Sequence, residues 1–93
     1  MRSYVIAANE PFLFYTGSEE ENFTGVKVWS LMGLSNALQK VDIKSIEFHN
    51  RMGDFEKWAT DVLQDAELAG DIRRLQRLNL AGEVLRNQLF LTV

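Results

Sequence analysis

The chain has 93 residues, 46% of them hydrophobic and 25% charged, with a formal charge of −3. That length predicts a single domain, 1–93, and the apolar share is enough for a packed core, which excludes a disordered chain. With no cysteine and one histidine, His49, disulfides, thiolate chemistry and multi-histidine metal sites within one chain are excluded.

The N-terminal run Tyr4-Val5-Ile6-Ala7-Ala8 is broken by Asn9, Glu10 and Pro11. It falls short of the roughly 7–15 apolar residues of a secretory core, and no window reaches the roughly 18 of a membrane span. The expectation is a soluble cytoplasmic protein. Val5-Ile6-Ala7 reads as one extended piece. Phe12-Leu13-Phe14-Tyr15 is aromatic and β-prone, so 12–16 reads as a strand, with Pro11 suited to its start. Gly17-Ser18-Glu19-Glu20-Glu21-Asn22 follows as a polar loop.

Leu31, Leu34, Leu38 and Val41 recur at three- and four-residue steps, predicting a helix over 27–40. Asp42 caps the next segment, 43–50, which reads as a short helix, with a strand as the alternative because Ile46 and Phe48 alternate. Gly53 breaks the chain and Asp54 restarts it as an N-cap. Phe55, Trp58, Ala59, Val62 and Leu63 then form the cleanest amphipathic stripe. Asp65 caps a helix striped by Leu68, Ile72 and Leu75. A last helix covers 80–90 with Val84, Leu85 and Leu89 inward, and 89–93 is either its end or an extended tail. The fold class is mainly α: a bundle of four to five helices over 27–91, with an extended segment and acidic loop over 1–23. An α+β fold with a small sheet is the alternative.

The order of these segments resembles a family of small prokaryotic domains of unknown function. The resemblance is carried by Glu10-Pro11-Phe12-Leu13-Phe14, Thr24-Gly25-Val26-Lys27, Leu31, Ser45-Ile46-Glu47-Phe48-His49, Asp54-Phe55-Glu56-Lys57-Trp58, Leu68-Ala69 and Gly82-Glu83-Val84-Leu85-Arg86. It covers nearly the whole chain. Relatives often carry an insertion after the histidine, where this chain has only Asn50-Arg51-Met52-Gly53. The resemblance implies no established activity. Some similar domains stand beside sugar-active enzymes, which implies an accessory role.

Few residues are left for chemistry. His49 and Asp54 could form an oriented base; the plainer reading makes His49 a side chain on a core-facing element and Asp54 a cap. Ser45 lacks the further groups of a nucleophilic triad. Glu47, Asp54 and Glu56 around a single histidine make an unusual metal site, so neither a metal nor a cofactor is expected. Thr24 and Lys27 ahead of a helix suit an anion, although the spacing of a P-loop is missing. Two helices over 55–77 raise a helix-turn-helix, but acidic Asp65 and Glu67 occupy the end that would read DNA. Trp29 lies opposite the leucine stripe and is expected at the surface, where large aromatics mark interfaces.

The reading is a non-enzymatic interaction or regulatory module that contacts a protein partner or itself through Phe23, Trp29 and the N-terminal strand. One alternative is a small-ligand or anion site, of sugar or phosphate type, drawing on Thr24, Lys27, His49, Arg51 and Asp54. The other is weak nucleic-acid binding through Arg73, Arg74 and Arg77.

Overall fold

The computed structural model describes residues 7–93. Five helices and one antiparallel hairpin make up the regular structure of those residues. The hairpin pairs β1 (Phe12–Tyr15) with β2 (Phe23–Val28). The acidic loop between them contains one turn of 3-10 helix, Glu20–Asn22. The helices are α1 (Leu31–Leu38), α2 (Ile43–Met52), α3 (Asp54–Asp61), α4 (Ala66–Arg77) and α5 (Gly82–Thr92). The fold is therefore mainly α with a small sheet. The extended piece read at Val5-Ile6-Ala7 lies, save for Ala7, outside the described residues.

β2 corrects the expected helix over 27–40 and the bundle boundary at 27. Residues 27 and 28 are strand, and the helix begins at Leu31 behind Ser30, whose hydroxyl accepts the Gly33 N–H at 3.0 Å. Thr24, Val26 and Val28 are β-branched at alternate positions, which suits a pleated strand better than a helix. Register runs Phe12 to Val28 and Leu13 to Lys27, then shifts so that Tyr15 faces Phe23. β2 carries the extra residues of this bulge, and Gly25 there sits at φ +88°, open to glycine and strained for other residues. Thr24 Oγ1 donates to the Phe14 carbonyl at 2.8 Å, closing part of the gap.

Alternation sends Phe12, Phe14 and Val28 into the core. There Phe12 stacks on Phe55 of α3 at 5.0 Å between ring centres, and meets Trp58 edge-on at 5.8 Å. Such pairs add about 0.5–1.5 kcal/mol each beyond simple burial. The Trp58 indole N–H donates to the Glu10 carbonyl at 3.0 Å, tying the lead-in to β1 onto α3. The helical stripes bury Leu31, Leu34 and Leu38 from α1, Ile46 from α2, Leu68, Ile72 and Leu75 from α4, and Leu85 and Leu89 from α5.

The 43–50 segment is helical, and Asp42 caps it by accepting the Lys44 N–H at 2.9 Å. Asp65 caps α4 by accepting the Leu68 N–H at 3.0 Å. Val62 and Leu63 fall beyond the end of α3 and are only partly buried against the core. Val84 corrects another expectation: it is 58% exposed. The inward row of α5 is Leu85, Leu89 and, just past its end, Val93, at four-residue steps, and Val84 stands one position off it. The chain end continues the helix to Thr92. Among the described residues no helix is long and apolar enough to cross a membrane.

Candidate functional site

The His49–Asp54 corner forms because Gly53 ends one helix and starts the next. At φ +75° its N–H reaches back to the Asn50 and His49 carbonyls, while the same residue holds the N-cap position of α3. This moves Asp54 from the expected cap into the first helical turn, where it makes no capping bond. Its Oδ2 instead lies 2.8 Å from His49 Nδ1.

The other ring nitrogen is also engaged. The Tyr15 backbone N–H donates to His49 Nε2 at 2.8 Å. An amide donor needs a lone pair on its acceptor, so Nε2 is unprotonated and Nδ1 carries the hydrogen given to Asp54. The ring is 4% exposed. Phe12, Phe14, Phe48 and Phe55 surround it, with ring centres 4.8–5.9 Å away. Burial pushes its pKa below the usual 6.5, outweighing the hydrogen bond and the negative charge of Asp54. A neutral imidazole with both nitrogens bound holds a strand to two helices. It has no free lone pair for a substrate proton.

The remaining candidates do not converge. Glu47 Oε2 accepts the Gly82 N–H at 2.8 Å, and Glu56 Oε2 pairs with Arg73 Nη2 at 2.6 Å, so neither joins His49. Ser45 is fully buried, its hydroxyl without a partner among the described residues. Thr24 and Lys27 lie on a strand rather than at a helix N-terminus, which removes the helix dipole from the anion reading. Arg51 stands over the Phe48 ring at 5.9 Å and away from both. The three arginines of α4 are split. Arg73 is taken by Glu56 and Arg74 by Asp71, and only Arg77 has no carboxylate partner among the described residues. Arg86 is a structural cation: its Nη1 donates to the Leu38 carbonyl at the end of α1, at 2.8 Å.

The outward face of the hairpin is different. Leu13 and Lys27 are a cross-strand pair on it, and the Tyr15 and Phe23 rings meet there at 5.3 Å. Leu13 and Phe23 are exposed, and Trp29, one step past β2 on the same side as Lys27, is 49% exposed. Its backbone is fixed, since the Trp29 carbonyl accepts the Ala8 N–H. Glu19, Glu20 and Glu21 lie exposed at the loop end of this face, and Lys27 near the other end. Leu13 and Tyr15 entered the sequence reading only as part of the strand, and the bond of the Tyr15 amide to His49 had no sequence signal.

No family model matches this chain, and no curated protein or solved structure is significantly similar to it.

Proposed function

We propose that the protein is a non-enzymatic interaction module that pairs with a second copy of itself through the outward face of its hairpin. The observation that carries the reading is the row Leu13, Tyr15, Phe23 and Trp29, apolar and aromatic on a surface anchored from beneath by His49 and Trp58. Exposed aromatics on a fixed backbone lose little entropy on binding, which is why interface cores are rich in them. The charges favour a like partner. In a two-fold antiparallel arrangement, Lys27 of one copy approaches the Glu19–Glu21 loop of the other, and the same contact repeats across the axis.

Light scattering over rising concentration tests it. The mass should climb from one chain toward two, and added salt or Lys27→Glu should push the midpoint to higher concentration. A mass that stays at one chain throughout contradicts the proposal.

A further inference from the structure

A cleft of about 570 Å³ opens between α2 and the turn joining α4 to α5, on residues the hairpin does not use. Its polar side chains are Arg51, Arg77, Asn50, Gln76, Asn79 and Glu47, beside an apolar wall of Leu80 and Ala81. Neither guanidinium has a carboxylate partner among the described residues, although the cleft contains Glu47. Glu47 is engaged elsewhere, its Oε2 accepting the Gly82 N–H. The cleft is thus net positive on a chain that is net negative.

Asn50 is the second observation. It is 7% exposed and its Oδ1 is buried with no hydrogen-bond partner among the described residues. A buried amide oxygen without a donor is costly, and because this oxygen is itself covered, the rest of the Asn50 carboxamide is what lines the cleft. A half-turn of the carboxamide exchanges its oxygen and nitrogen at the cleft, so it can meet a donor or an acceptor. Gln76 is held in place by its Nε2, which reaches the Arg51 carbonyl at 3.4 Å. Asn79 is set by a left-handed backbone at φ 53°.

We infer that this cleft binds a small organic anion, a phosphate monoester or carboxylate that also carries hydroxyl groups. The two guanidinium groups take the anionic end, since their planar donors match both oxyanions. The carboxamides of Asn50, Gln76 and Asn79 take the neutral end. The volume lies within the range of small-molecule sites. This site is separate from the hairpin face and stands or falls independently of self-association.

The test is an amide NMR titration of the full chain with glycerol phosphate and with gluconate, against neutral glycerol and inorganic phosphate. Saturable shifts of the Asn50, Gln76 and Asn79 side-chain amides are expected with at least one of the two organic anions, and which one separates phosphate from carboxylate. Arg77→Gln and Arg51→Gln, both at exposed positions, should each weaken that binding about tenfold or more. Lys27→Gln on the hairpin should leave it unchanged. The inference is overturned if neither organic anion saturates, or if both arginine variants bind as the wild type does. It is equally overturned if glycerol or inorganic phosphate binds as well as the organic anions.

Discussion

His49 gives from Nδ1 and receives at Nε2, and these two bonds make its neutral form the one that fits the fold. Protonation of Nε2 ejects the Tyr15 N–H and places a cation among four phenylalanine rings, with the Asp54 carboxylate the one charge bonded to it. Glu20, across the shallow depression over the ring, is the other acidic group on that side. Because burial lowers the folded-state pKa, the unfolded chain binds a proton more readily than the folded one as pH drops below 6.5. The contribution of His49 to stability is therefore complete above pH 6.5 and is lost as pH falls through the depressed folded value. Urea denaturation over a pH series should show that decline, and His49→Gln should lack it. Since His49 is the only histidine, its ring nitrogen signals report the tautomer without overlap, and a pyridine-type Nε2 is expected. Truncation to alanine orphans the half-buried Tyr15 N–H and should cost about 1–3 kcal/mol, measured by the shift in denaturation midpoint.

At the level of elements, the same residue type does different work according to where its helix begins. Asp42 and Asp65 are caps, whereas Asp54 anchors a histidine. Asp65→Ala should cost about 1 kcal/mol through α4. Asp54→Ala should instead loosen the hairpin, so amide exchange at Tyr15 should accelerate more than exchange along α3. The caps, the stripes of α3 and α4 and the first strand were legible because each rests on local rules of spacing and side-chain reach. β2 was obscured because the helical period of Leu31, Leu34 and Leu38 was carried back past Ser30, the N-cap that marks its start. The β-branched alternation of Thr24, Val26 and Val28 was the signal that opposed it. Asp54 misled for a different reason. Whether Gly53 only ends α2 or also caps α3 is a matter of one φ angle, and sequence spacing does not reveal it. The outward position of Trp29 was legible, although on a strand margin rather than a helix. The cleft around Asn50 was not, since Arg51, Gln76 and Arg77 come together only through the packing of α2 beside the α4–α5 turn.

Taken as a whole molecule, the chain spends its unusual residues on attachment. His49, Trp58 and the Phe12–Phe55 stack join a two-stranded hairpin to a helical body, Thr24 ties its two strands together, and a hairpin of that size is not stable alone in water. What the attachment presents is an aromatic face with opposite charges at its two ends. Sedimentation equilibrium of the wild type and of Trp29→Ser, from low micromolar to millimolar concentration, tests this most directly. Trp29 is exposed at the rim of the fold, so the variant should keep the wild-type circular dichroism and melting temperature. The account predicts a monomer–dimer equilibrium for the wild type and a shift toward monomer in the variant. A wild type that remains monomeric across the range, or a variant that dimerises as readily, contradicts it.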